Sequence, residues 1–96
     1  MTCFIATLVV KPGMEQEFER LQQELSKLTH EQEPDTLVYD VLKQRDTAAT
    51  YVVYGRFRDE AAFQAHQQTA FHDRLVPPIL ACLAQDMDLK FLDWKS

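Results

Sequence analysis

The stretch TCFIATLVVK, Thr2 to Lys11, is apolar on both sides of the strand it would form. Successive residues of a strand point to opposite faces. Cys3, Ile5, Thr7 and Val9 therefore fall on one side, and Phe4, Ala6, Leu8 and Val10 on the other. The same holds further along the chain. Tyr51 and Val53 oppose Val52 and Tyr54, and Leu89 and Phe91 alternate with Leu92 and Trp94. An antiparallel sheet with helices on one side only is expected to be polar on the other. Two apolar faces call for two coverings. Helices supply one, and the simplest source of the other is the sheet of an identical chain, which predicts a homodimer packed through its sheet faces.

The punctuation between strands fixes the order of elements. KPG, Lys11 to Gly13, ends the first strand. Met14, Phe18, Leu21, Leu25 and Leu28 then step by 4, 3, 4 and 3, which is one face of a helix. Glu15 and Glu17 lie in its first turn, where the helix dipole favours acids. Pro34 disfavours helix at the residue before it, so the helix fades by HEQEPD. TLVYDVLKQ and TYVVYGRFR read as two strands joined by the turn RDTAA. Asp59 is a fitting N-cap for EAAFQAHQQTA. A short helix from about Phe71 to Leu83 is expected to be interrupted or restarted at Pro77–Pro78, and MDLKFLDW closes the chain as a strand. The order β-α-β-β-α-β is the ferredoxin-like arrangement of an α+β protein, in one domain spanning 1–96.

Charge and composition narrow the partners. A net charge of −5, with ten scattered Lys and Arg, offers no footprint for nucleic acid or for an anionic membrane. No apolar run approaches the roughly 18 residues that span a bilayer. The N-terminus lacks the basic lead of a secretion signal, and Cys3 and Cys82 read as buried thiols. A cytoplasmic globular protein is the resulting expectation.

Two of the three histidines sit in FQAHQQTAFHD, Phe63 to Asp73. Six residues on a continuous helix rotate by ~600°, or ~240° beyond a full turn, so His66 and His72 would face apart. Metal-binding pairs on one helix are three or four residues apart, and His30 lies in a different element, so no metal site is expected. His66 shares a face with Ala62, Phe63 and Ala70, the face turned to the sheet. It is either a core histidine held by a carbonyl or a Tyr hydroxyl, or a general base at a pocket. His72 reads as exposed. Gly13 and Gly55 are isolated, and no phosphate loop, flavin or nicotinamide fingerprint, or nucleophile elbow is present.

ATLVVKPGMEQEFERLQQEL, then YDVLK, then YVVYGRFRDEAAFQAHQQTAFHDRL resembles the antibiotic biosynthesis monooxygenase domain family, over nearly the whole chain from about Phe4 to Trp94. The matching features are the KPG turn, Tyr39, Tyr54, and the helix start DEAAFQAH ending at His66. The resemblance implies a dimeric α/β barrel, in accord with the two-faced strands. It also implies a cofactor-free oxygenation of an electron-rich aromatic, quinol or polyketide-like substrate by O2. His66 would then be the catalytic base, and Tyr39, Tyr54, Phe63 and Arg74 would contact substrate. Each of these has a plainer role as well: the tyrosines and Phe63 as core aromatics, Arg74 as a solvated charge. The chain departs from the family where Tyr54-Gly55-Arg56-Phe57 stands for Tyr-Glu-x-Trp, and where Phe71-His72 stands for His-Phe. It has no Asn, and His66 stands where the heme-degrading branch has Trp. Two other functions stay open. One is isomerisation of a small phosphorylated dione, which would require Arg74, Arg56 or Lys43 in the pocket. The other is a non-catalytic dimeric binding domain, which would show a filled core.

Overall fold

The computed structural model describes all 96 residues. Its elements run β1 (Thr2–Val9), α1 (Glu15–Gln32), β2 (Thr36–Lys43), β3 (Thr50–Phe57), α2 (Glu60–Gln67), α3 (Ala70–Ala81) and β4 (Asp88–Asp93). The four strands form one antiparallel sheet in the order β2-β3-β1-β4. This is the expected ferredoxin-like α+β plan, with the second helix split in two.

The register sorts the side chains. Phe4, Ala6 and Leu8 of β1 stand beside Val53 and Tyr51 of β3, Tyr39 of β2, and Leu89 and Phe91 of β4, on the face the helices cover. From α1, Phe18, Leu21 and Leu25 are buried against it, and from α3, Phe71, Leu75 and Ile79. Ile5, Thr7, Val52, Tyr54, Arg56, Leu42 and Leu92 fall on the other face, which no helix covers. Leu42, Leu92 and Trp94 are exposed there.

The caps fall where the sequence places them, with one surprise. Pro34 follows the end of α1, and Glu33 caps it, its N–H donating to the Thr29 carbonyl at 3.0 Å. The Asp59 side chain accepts from the Ala62 N–H at 2.8 Å and so opens α2. The break between α2 and α3 falls at Gln68 and Thr69, close to the helix start expected at about Phe71, and the further interruption expected at the two prolines is absent. Helix α3 runs uninterrupted through Pro77 and Pro78. The rings remove donors that would have reached the carbonyls of Asp73 and Arg74, and both of those residues are exposed, where water satisfies what the prolines cannot. No helix is long and apolar enough to cross a membrane. Both cysteines are free and buried.

Candidate active site

Between the sheet and the helices lies a cavity of about 240 Å³. Phe4, Ala6, Leu8 and Val53 form its floor, Leu25, Val76 and Ile79 its helical walls, and Tyr39, Phe63 and His66 one end. The exposed residues Leu80, Met87, Leu89 and Gln67 mark where it opens. Twelve of its sixteen lining residues are hydrophobic, so the polar groups that remain can be named singly: Gln22, His66, Gln67 and His72, with the Tyr39 hydroxyl.

His66 is 2% exposed and packs between aromatic rings, 4.9 Å from Tyr39 and 5.3 Å from Phe57, centroid to centroid. Its Nδ1 lies 2.9 Å and 3.1 Å from the two carboxylate oxygens of Glu33. An Nδ1–H that donates to a carboxylate fixes the tautomer. The neutral ring then carries its lone pair on Nε2, which has no hydrogen-bond partner in the protein, and the residue lines the cavity. Glu33 is itself oriented, since the Thr36 hydroxyl donates to its Oε1 at 2.8 Å. Carboxylate, imidazole and cavity thus stand in series, the arrangement by which a base is aimed and its cation stabilised.

Tyr39 is buried, and burial, followed by the nearby Glu33 carboxylate, holds its hydroxyl well above the ordinary phenol value. It is a neutral donor at the His66 end of the cavity. His72, expected to face away from His66, meets it instead: the rings are 5.0 Å apart and nearly perpendicular. A ~240° separation holds only along one continuous helix, and the chain is broken between the two histidines. The Thr69 hydroxyl donates to the His66 carbonyl at 3.0 Å, ending α2, and accepts from the His72 N–H at 3.2 Å, opening α3. The same break leaves Ala70 exposed, not on the His66 face. Burial, then the neighbouring His66, lowers the His72 pKa from its usual value.

Of the residues expected to contact substrate, Tyr39 and Phe63 line the cavity with His66, and Tyr54 and Arg74 do not. Tyr54 lies on the helix-free face, its hydroxyl 4.0 Å from the Cys3 sulfur. Arg74 is on the surface beside Glu24 at 3.4 Å. Two residues that the sequence argument passed over belong to the site. In the sequence Glu33 reads only as part of a helix end. Gln22 lies four residues after Phe18 and three before Leu25, on the buried face of α1, and that spacing was the available signal. No cluster of three or more His, Cys, Asp or Glu is placed to hold a metal.

The arrangement has relatives. Residues 1–77 match the family model described as antibiotic biosynthesis monooxygenase. A solved structure described as an antibiotic biosynthesis monooxygenase is 31% identical, with each chain covered over 100% of its length and a TM-score of 0.91. A protein from Pseudomonas aeruginosa is 25% identical, with 99% of this chain and 94% of that one covered and a TM-score of 0.86. A conserved protein from Methanosarcina mazei Go1, 21% identical and covering 98% and 92% of the two chains, shares the fold at a TM-score of 0.92. No curated protein sequence matches the chain. The family-model match covers most of the chain, and the 31% identical structure agrees with it from end to end: this protein belongs to the antibiotic biosynthesis monooxygenase family.

Proposed function

We propose that the protein is a cytoplasmic, cofactor-independent monooxygenase of a small electron-rich aromatic, quinol or anthrone-like substrate. The observation that carries the proposal is the Glu33–His66 pair, joined through Nδ1, with His66 in the lining of an apolar cavity. Nε2 takes the acidic proton of the substrate, and Glu33 stabilises the imidazolium that forms. The substrate anion, held in a water-poor space with Tyr39 as donor, passes an electron to O2. The two radicals combine into a peroxide. One oxygen atom stays on carbon as a carbonyl, and the other leaves as water with the two hydrogens the substrate gave up.

The isomerase alternative is weaker on charge. A phosphorylated ligand calls for cations, and no Lys or Arg lines the cavity. Arg74 pairs with Glu24, Arg56 stacks 4.2 Å from the Trp94 ring on the far face of the sheet, and Lys43 lies over Tyr51. A non-catalytic binding domain would leave the Glu33–His66 unit without a task. The same proposal includes a second copy covering the helix-free face, where Ile5, Val52, Tyr54 and Leu92 form an apolar surface. The test is oxygen consumption by metal-stripped, flavin-free protein given an anthrone or a quinol. Uptake at one O2 per substrate is expected, and strict dependence on added flavin or metal would refute the mechanism.

A further inference from the structure

Gln22 is 3% exposed, yet its carboxamide makes no hydrogen bond to the protein. It is not sealed in protein, as the unpaired Thr29 hydroxyl is; it borders the cavity. Buried side-chain amides nearly always have partners, and one without a partner beside a cavity is a group available to whatever fills that cavity. An apolar residue would pack this face of α1 at no such cost.

Its position relative to His66 follows from helix geometry. Gln22 precedes Glu33 by eleven residues of α1 and its cap, about three turns or ~16 Å of rise. Glu33 is the residue that touches His66. The floor agrees, because the lining residues Phe4 to Leu8 cover ~13 Å of strand, and Phe4 is the one among them beside Tyr39 and Phe63. The cavity is therefore elongated, with the Glu33–His66 unit toward one end and an unpaired amide toward the other.

We propose that Gln22 is a specificity-determining residue that hydrogen-bonds an oxygen at the end of the ligand remote from His66. The ligand class is a flat aromatic with oxygen functions at opposite ends and no anionic group. A carboxamide both donates and accepts, so Gln22 can accept from a hydroxyl in the substrate through its oxygen, or donate to a carbonyl in the oxidised product through its NH2. The inference deepens the function proposed above and takes its aromatic ligand class from it.

The test uses two probes, β-naphthol and the naphthalenediol that carries a second hydroxyl at the opposite end of the ring system. Their affinities are measured by fluorescence titration of the wild-type full chain, Gln22→Leu and Gln22→Met. Wild type should bind the diol roughly five- to tenfold more tightly than β-naphthol, and both variants should lose that preference while keeping their affinity for β-naphthol. Both variants should also melt at or above the wild-type temperature without ligand, because they remove an unpaired buried amide. A structural amide would instead lower it. A diol preference that survives in both variants overturns the proposal, as does the absence of saturable binding of either probe. The function is tested separately: Gln22-dependent binding without oxygen uptake on any quinol or anthrone would leave the anchor standing and remove the oxygenase.

Discussion

Gly55 is buried in β3, and a methyl group on it would fall 2.5 Å from the Phe4 ring. Phe4 has little room to yield, being packed among Phe57, Phe63 and Tyr39 with centroids 6.0 to 6.2 Å away. Gly55→Ala should therefore destabilise the protein by about 1–3 kcal/mol and push Phe4 into the cavity floor, as a denaturant titration and a ligand-affinity measurement would show together. An unchanged midpoint would mean the ring moves freely. His72 gives a second expectation. Its pKa lies below the ordinary 6.5, first because burial disfavours the charged form and next because His66 is adjacent. The unfolded chain takes up that proton first as pH falls, so the stability His72 contributes is complete above about pH 6.5 and is lost on descending toward its folded pKa. The melting temperature should drop between about pH 7 and about pH 5 more steeply in wild type than in His72→Gln; parallel curves would show that the residue is solvated.

At the level of elements, the break between α2 and α3 decides the chemistry of the site. Thr69 closes one helix and opens the next, which brings His66 and His72 together. Thr69→Ala should cost about 1 kcal/mol and separate the two rings, detectable as a changed His72 titration by NMR; an unaltered titration would show that packing alone holds them. The sequence revealed the strands, the helical face of α1 and the Asp59 cap because each rests on local periodicity or local capping chemistry. A boundary near Phe71 was legible as well, within two residues of where it falls, but not that it would turn His72 toward His66; and no interruption occurs at the prolines, which α3 absorbs on its exposed side. The sequence also left open which side of β3 meets the helices. With both faces apolar, alternation separates Tyr51 from Tyr54 but assigns neither to the cavity. Glu33 was hidden for another reason: its partner is 33 residues away, and no local pattern signals a contact made across the fold.

The whole molecule presents one sheet with two apolar faces and helices enough for one. The second covering is expected to be another copy, giving a species at twice the 11.2 kDa chain mass in sedimentation. Val52→Glu, on the helix-free face, should convert it to monomer, whereas a wild-type protein monomeric at micromolar concentration would remove this part of the account. The central claim is chemical, that a carboxylate-oriented imidazole at the end of an apolar cavity serves as the base for oxygenation. The measurement that bears on it most directly is the initial rate of O2 uptake with an anthrone substrate for wild type beside His66→Ala and Glu33→Gln, all three shown to be folded by circular dichroism. His66→Ala should lose at least about 10²-fold in rate and Glu33→Gln a substantial part of that. Rates equal to wild type in His66→Ala would contradict the account.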